Sequence, residues 1–334
     1  MNQIRPMPPG PALPLARSIA PSDLTTSTVL PADPAPQIEP PQPDPTFESD
    51  IVYARRKLRD GSDLELKLDI LGHQSGRKPL VLYVSGGGFI ASLRSSARDL
   101  RAYVAAAGFV VASIDYRALS NGPGVTFADT VADVKSAIRF LRANAGEYGI
   151  DPANVAAWGE SAGGYLVAMA GATSGSRHFL TEDNPDVSSD LQAVVDKFGA
   201  SSLAHTADDF DETARKFWTD DNGPLATYVH GLGGGPLDDQ DETVRRANPI
   251  TYLSPATPPF LLLHGTADMI ISPSQTLLLH NALRAAGRAS QRYVLDGANH
   301  GDAPFLNDPA AGLPWSTTTV MDIIVNFLRT QLTH

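Results

Sequence analysis

The sequence predicts an α/β fold in which a mostly parallel sheet is covered by helices on both faces. Short, continuous apolar runs such as residues 80–84 (LVLYV) are typical of strands that are buried on both faces of a sheet. Other segments, such as residues 127–144, place apolar side chains at helical spacing. Because the two kinds of segment alternate along the chain, parallel strands joined by crossover helices are the expected arrangement.

The predicted elements follow one another in a regular order. Residues 51–58 and 64–71 flank an Asp60-Gly61 turn and predict a β-hairpin. Further strands are predicted at residues 80–84, 109–114, 155–158, 193–198, 259–264 and 291–295. Helices are predicted at residues 96–107, 127–144, 162–170, 273–286 and 318–330.

Two segments interrupt this pattern. Residues 1–46 are rich in proline and predict an N-terminal tail outside the domain of residues 47–334. The tail is interpreted as solvated or, alternatively, as a strap that lies over the domain. Residues 201–248 are acidic but carry aromatic side chains that need a surface to pack on. We therefore predict a small cap insertion that supplies pocket walls above the sheet end, with a plain surface insertion as the alternative.

The composition of the 334 residues excludes several classes of function. A formal net charge of -11 argues against nucleic-acid binding and against docking on an anionic membrane surface. The chain has no cysteine, which excludes disulfides, cysteine-bound zinc and a thiol nucleophile. No apolar run is long enough to span a bilayer, and prolines break the N-terminus where a signal peptide needs a continuous apolar stretch. A cytoplasmic location is therefore predicted.

The pentapeptide GESAG places Ser161 between two glycines, directly after one predicted strand and before the next helix. This G-x-S-x-G pattern is typical of a sharp strand-to-helix turn that exposes a serine at its tip. A Gly/Ser turn without any chemistry is the alternative for the five residues alone. Because ligands bind at the carboxyl ends of parallel strands, the position favours a nucleophile.

A nucleophilic serine needs a base, and the base needs a carboxylate that orients it. His300 lies in a Gly-rich loop after the last predicted strand, and Asp268 follows the strand before it. Asp296 is too close to His300 in sequence for easy pairing across a turn, and His264 at the end of its strand is interpreted as structural. The order serine, acid, histidine is the one expected for this kind of sheet.

Donors for a developing oxyanion are also present. Three glycines, Gly86 to Gly88, follow a predicted strand directly and allow backbone N–H groups to approach a ligand. The amide of Ala162 at the start of a helix adds another donor. The run lacks the Lys-Ser/Thr of a P-loop, so an oxyanion hole is the better interpretation.

Together these motifs resemble the α/β-hydrolase carboxylesterases of the hormone-sensitive-lipase-like group and the allied bacterial feruloyl and acetyl-xylan esterases. The resemblance runs in order from about residue 80 to residue 301 and includes YVSGGGF, EYGIDPANVAAWGESAGGYLVAMAG, FLLLHGTAD and GANHG. It implies an α/β-hydrolase fold with a small cap insertion and no metal or cofactor. It also implies Ser161 as nucleophile, Asp268 as acid and His300 as base, with the amides of Gly87, Gly88 and Ala162 as the oxyanion hole.

The chain departs from the family at Ser85, where a histidine usually precedes the three glycines. We expect Ser85 to hold the glycine loop through a hydroxyl-to-backbone hydrogen bond, with packing of Phe89 as the alternative. The predicted substrate-binding residues are Ser85, Phe89, Glu160 and Trp218.

The resulting hypothesis is a serine carboxylesterase that hydrolyses short-chain acyl or small aryl esters through an acyl-enzyme. The alternatives are a feruloyl or acetyl-xylan type of carbohydrate esterase, an amidase or formamidase on the same triad, and a ligand receptor that is not an enzyme. The expected partner is a small-molecule ester, with no nucleic acid and no membrane, and a homodimer is left open.

Overall fold

A nine-stranded sheet forms the centre of the computed structural model, which describes residues 15–72, 76–301, 308 and 310–333. The strands are β1 Thr28–Pro31, β2 Phe47–Lys57, β3 Asp63–Leu71, β4 Lys78–Val84, β5 Val110–Ile114, β6 Ile150–Glu160, β7 Ala193–Lys197, β8 Phe260–Gly265 and β9 Ser290–Asp296. Their order across the sheet is β1-β9-β8-β7-β6-β4-β5-β3-β2. In this spatial order, the seven strands from β1 across to β5 are all parallel to their neighbours. The last two strands, β3 and β2, are antiparallel and form the other edge.

The described helices cover both faces of this sheet. They are α1 Arg98–Ala106, α2 Phe127–Ala143, α3 Ala162–Ala172, α4 Glu212–Trp218, α5 Pro224–His230, α6 Glu242–Arg246, α7 Ser274–Ala285 and α8 Thr318–Leu332. Apolar residues of α2, α3 and α7 pack into one core layer, and those of α1 and α8 pack into the layer on the opposite face. The predicted α/β fold, with helices on both faces of a mostly parallel sheet, is confirmed.

The crossovers bring the carboxyl ends of β4, β6, β8 and β9 to the same edge of the sheet, because these strands run in parallel. The loops that carry the three glycines, Ser161, Asp268 and His300 follow these four strands. In the described part of the chain, no helix is long and apolar enough to cross a membrane. The cytoplasmic location stays a prediction.

One edge of the sheet comes from the proline-rich segment. Residues 15–46, here called the strap, contribute β1, which pairs in parallel with β9. The amide of Ala16 donates to the carbonyl of Met269 at 3.1 Å, and the amide of Ile38 donates to the carbonyl of Ser316 at 3.0 Å. Residues 15–46 therefore lie against the domain as a strap. The first 14 residues of the predicted tail lie outside the residues that the structure describes.

Candidate active site

Ser161 occupies the turn between β6 and α3. Its backbone has φ 56° and ψ −123°, a conformation that non-glycine residues adopt only when their surroundings impose it. Its amide donates to the carbonyl of Lys197 at 2.9 Å, which ties the turn to the neighbouring strand β7. The strained turn places the serine at the carboxyl end of β6, as a nucleophile requires.

The two glycines of the pentapeptide are needed for close packing. A Cβ atom at Gly159 would lie 2.1 Å from the carbonyl oxygen of Gly163, and one at Gly163 would lie 2.0 Å from the carbonyl oxygen of Val84. Both contacts are with backbone and far below van der Waals distance. The G-x-S-x-G pattern therefore follows from the space available at this turn.

His300 and Asp268 form a buried pair in the loops that follow β9 and β8. The Nδ1 atom of His300 lies 2.8 Å from Oδ2 of Asp268, and both side chains are almost completely buried. The other carboxylate oxygen, Oδ1, accepts the amides of Ile270 and Ile271 at 2.9 Å each. With Nδ1–H donating to this fixed carboxylate, the basic nitrogen of His300 is Nε2.

A second imidazole contacts the same carboxylate. The Nε2 atom of His264 lies 3.1 Å from Oδ2 of Asp268. On the other side of that ring, Nδ1 lies 3.0 Å from Oγ1 of Thr276, which accepts a hydrogen bond from Nε of Arg292 at 3.0 Å. The hydroxyl of Thr276 is therefore free to donate to Nδ1, so His264 carries its proton on Nε2, which faces the carbonyl of Ile271 at 3.1 Å as well as Asp268.

These contacts keep Asp268 ionised. Burial raises the pKa of its carboxyl, but the electrostatic attraction and hydrogen bonds of the His300 and His264 imidazoles outweigh burial and hold the pKa well below its ordinary value. The interpretation of His264 as structural agrees with its burial but missed its contact with the acid. Its position four residues before Asp268, at the end of the same strand, is the signal that could have found it.

A cavity of about 610 Å³ opens at Ser161. Ser161 and Gly301, the residue that follows His300, both line it. Its outer wall comes from the strap, through Gln37, Ile38 and Pro40. The rest of the lining includes residues 96–100, the end of β7 and residues 312–316.

The glycine loop borders the same cavity through Gly86 and Gly87. The backbone of Gly87 has φ 146°, and a Cβ there would lie 2.1 Å from the carbonyl oxygen of Ala91, so only glycine fits. The hydroxyl of Ser85 accepts a hydrogen bond from the amide of Leu93 at 3.0 Å. The hydroxyl-to-backbone bond expected of Ser85 is therefore present.

The predicted wall residues separate into two groups. Glu160 lines the cavity, but Ser85, Phe89 and Trp218 do not, and each of the two rings is only 3% exposed. The ring of Phe89 stacks on Tyr228 with centroids 4.4 Å apart, and Trp218 packs edge-on against Phe217. Burial of these large aromatic rings in the core takes them out of the wall. Within the described residues, none from 201–248 lines this cavity, so the strap takes the place that was predicted for the cap.

The sequence matches the BD-FAE family over residues 68–283. It is similar to esterase LipC of Mycobacterium tuberculosis, with 30% identity over 293 residues that cover 85% of this chain and 67% of the relative. It is also similar to the isoprenylcysteine alpha-carbonyl methylesterase ICME of Arabidopsis thaliana, with 26% identity over 263 residues, 77% of this chain and 58% of the relative. The chain thus spans roughly three fifths to two thirds of the length of these curated relatives.

Solved structures with a similar fold include an esterase. The bifunctional GH43-CE protein of Bacteroides eggerthii has a TM-score of 0.70 and 28% identity, covering 85% of this chain and 38% of that one. Esterase 2 of Thermogutta terrifontis, phosphonylated by sarin, has a TM-score of 0.67 and 26% identity, covering 88% of this chain and 98% of that one. The chain belongs to the BD-FAE family of α/β-hydrolase esterases.

Proposed function

We propose that this carboxylic ester hydrolase cleaves esters of short-chain or small aryl acids through Ser161, His300 and Asp268. The observation that carries the assignment is the buried pair of His300 and Asp268 at 2.8 Å, with Gly301, the residue after His300, lining the same cavity as the serine in its strained strand-to-helix turn. A serine, an imidazole and a carboxylate in these roles are what acyl transfer to a hydroxyl nucleophile requires.

The reaction proceeds in two halves. Nε2 of His300 takes the hydroxyl proton of Ser161 while Oγ attacks the ester carbonyl, and the resulting oxyanion accepts hydrogen bonds from the amides of Gly87, Gly88 and Ala162. His300 then gives the proton to the alkoxide as the carbon–oxygen bond breaks, which releases the alcohol and leaves an acyl-serine. Water, deprotonated by the same imidazole, attacks the acyl-serine, and the acid leaves as Ser161 is reprotonated.

The preference for small substrates is supported by the size of the cavity. About 610 Å³ lies within the range of pockets for small molecules. Solved structures of Thermogutta terrifontis esterase 2 are described as bound to butyrate and to propionate, both short acids.

A rate profile over p-nitrophenyl esters from acetate to long-chain and aromatic acyl groups tests the proposal. The purified chain should turn over acetate and butyrate esters fastest, and an anilide of the same acid should react much more slowly than the ester. Ser161→Ala and His300→Ala should each lower kcat by roughly 10³- to 10⁶-fold, because the triad acts as a unit.

Ser188→Ala, a change at an exposed serine away from the site, is the matched control and should keep full activity. Substantial turnover by folded Ser161→Ala protein would refute the assignment. Faster hydrolysis of emulsified long-chain triglyceride than of the butyrate ester would refute the proposed size preference.

A further inference from the structure

A buried ion pair lies in the cavity beside the nucleophile. The ammonium of Lys197 lies 2.7 Å from Oε1 of Glu160, with the lysine side chain 1% exposed and the glutamate side chain 17% exposed. Both residues line the cavity together with Ser161, which directly follows Glu160 in sequence. The backbone carbonyl of Lys197 accepts the Ser161 amide, so the pair is fixed relative to the nucleophile.

The pair retains hydrogen-bonding capacity. An ammonium carries three donors, and in the residues that the structure describes Glu160 is the one hydrogen-bond acceptor of Lys197. Three aromatic rings surround the ammonium, with centroids at 5.4 to 5.9 Å, and they supply cation–π attraction but no oxygen acceptor for its remaining N–H groups. Oε2 of Glu160 likewise accepts no hydrogen bond from the described part of the chain.

These free positions define the chemistry of a ligand. A substrate carboxylate would meet the negative charge of Glu160, and a substrate ammonium would meet the positive charge of Lys197. A neutral hydroxyl can accept a hydrogen bond from the Lys197 ammonium and donate one to the Glu160 carboxylate, so it complements both partners. The rings of Phe198 and Trp315, which also line the cavity, provide apolar surface for the carbon skeleton that carries the hydroxyl.

The position of the pair favours the alcohol half of the ester. His300 must protonate the departing alkoxide, so the alcohol lies on the histidine side of the nucleophile. Phe198, next to Lys197 in sequence, places its ring centroid 4.5 Å from that of His300. Gly301 and Trp315 continue the cavity wall on this side.

We propose that Lys197 and Glu160 form a hydroxyl-binding subsite for the alcohol half of the substrate. The enzyme then prefers esters of small alcohols that carry a second, free hydroxyl near the ester oxygen. This inference rests on the proposed esterase function and adds the class of alcohol that the site accepts.

A matched pair of substrates tests the subsite. The compounds 2-hydroxyethyl butyrate and propyl butyrate share the acyl group and the number of heavy atoms, and differ only in a terminal hydroxyl or methyl. The wild-type enzyme should favour the hydroxyl ester in kcat/KM by about tenfold or more, since a hydrogen bond to a charged partner is lost with the methyl. The Lys197→Met variant should lose that preference and should still hydrolyse propyl butyrate.

Two further variants keep the result interpretable. Lys135→Met removes another buried lysine, which donates to the carbonyls of Thr173 and His178 and does not line the cavity. It should leave the preference unchanged. Glu160→Gln keeps the shape of the acceptor and should reduce the preference even if the Lys197 variant fails to fold.

Equal kcat/KM values of the wild-type enzyme for the two esters would overturn the subsite and leave the esterase function standing. If the wild-type enzyme hydrolyses no short ester at all, both proposals fall. A hydroxyl preference confined to the acyl half, seen with esters of 3-hydroxybutyrate against butyrate, would overturn the assignment to the alcohol.

Discussion

The composition of residues 201–248 suggested that this insertion lines the cavity at Ser161, but the strap lines it instead. The insertion is rich in aromatic residues, yet Phe210, Trp218 and Tyr228 are buried in the core. The strap has few large side chains, yet its residues Gln37 and Ile38 line the cavity at the nucleophile. Aromatic content therefore indicated where side chains pack, while part of the wall of the cavity at Ser161 comes from a segment without a core of its own.

The two regions are held in place by different interactions. The insertion is held by burial of aromatic rings, such as the stack of Tyr228 on Phe89. The strap is held by strand pairing and hydrogen bonds: β1 pairs with β9, Nε2 of Gln37 donates to the carbonyl of Leu313 at 2.8 Å, and its Oε1 accepts from Ser316 Oγ at 2.5 Å. Changes in the insertion should therefore act on stability, and changes in the strap on substrate choice.

The largest effect is expected from Trp218→Ala. Removing a fully packed aromatic ring should lower the free energy of unfolding by about 3 to 5 kcal/mol, measured by urea or thermal unfolding. The preference among acyl chain lengths should not change, because Trp218 does not line the cavity. Phe47→Ala, at a ring that is 51% exposed, is the matched control and should cost much less. Unchanged stability together with an altered chain-length preference would indicate that Trp218 lines the pocket after all.

A second large effect is expected at the glycine loop, which is flanked by the hydrogen bond of Ser85 and the aromatic packing of Phe89. If the Ser85 hydroxyl positions the oxyanion donors through the Leu93 amide, Ser85→Ala should lower kcat by about 100- to 1000-fold with little change in KM. Phe89→Leu tests the alternative, in which packing on Tyr228 positions the loop. Wild-type turnover in Ser85→Ala together with a large loss in Phe89→Leu would show that the insertion acts on catalysis through this stack.

A smaller, selective effect is expected from the strap. Gln37→Ala removes the side-chain bonds to Leu313 and Ser316 and should loosen the outer wall. The kcat/KM for benzyl butyrate should rise several-fold relative to that for ethyl butyrate. Gln192→Ala, at a glutamine outside the cavity lining, should leave this ratio unchanged. A parallel change in both rates would mean that the strap contributes stability alone.

The smallest effect is a pH dependence of opposite sign in the two regions. Burial lowers the pKa of His205 in the insertion, but the carboxylates of Asp239 and Asp208 outweigh burial and raise it above its ordinary value. The interaction of protonated His205 with these two carboxylates therefore stabilises the fold fully below about pH 6.5, and this stabilisation is lost as the pH rises through the raised pKa.

Burial lowers the pKa of His280, whose Nε2 atom lies 3.1 Å from the strap carbonyl of Thr26. Its contribution is present above about pH 6.5 and is lost as the pH falls below that value. Hydrogen exchange at pH 5.5 and pH 8, corrected for intrinsic rates, should show residues 201–248 better protected at the lower pH and the strap better protected at the higher. The same pH trend in both regions would contradict this account.

Elements with a pattern of their own could be predicted from the sequence. The alternating strands and helices from residue 51 onward appear where expected, since each carries its own apolar periodicity. The strand β1 could not be predicted, because its strand pairing comes from β9, more than 250 residues away. The start of β6 at Ile150, five residues before the predicted one, was hidden by a proline and polar residues that interrupt the apolar run.

The site divides in the same way. Ser161, Asp268 and His300 stand in short motifs that directly follow strands, so sequence alone could find them. Gln37 and Lys197 have no such motif: a glutamine in a proline-rich segment and a lysine at the end of a strand have no local signal of a shared cavity. Only the fold brings them together.

Covalent labelling shows which residue attacks the ester, and the proposed nucleophile is Ser161. The enzyme is treated with paraoxon, and the intact mass, the modified peptide and the remaining activity are followed together. The account predicts one diethylphosphoryl group per chain on the peptide that contains Ser161, loss of activity in proportion to labelling, and no adduct in Ser161→Ala. An adduct on a different residue that accompanies the loss of activity, or full activity in the completely labelled enzyme, would contradict it.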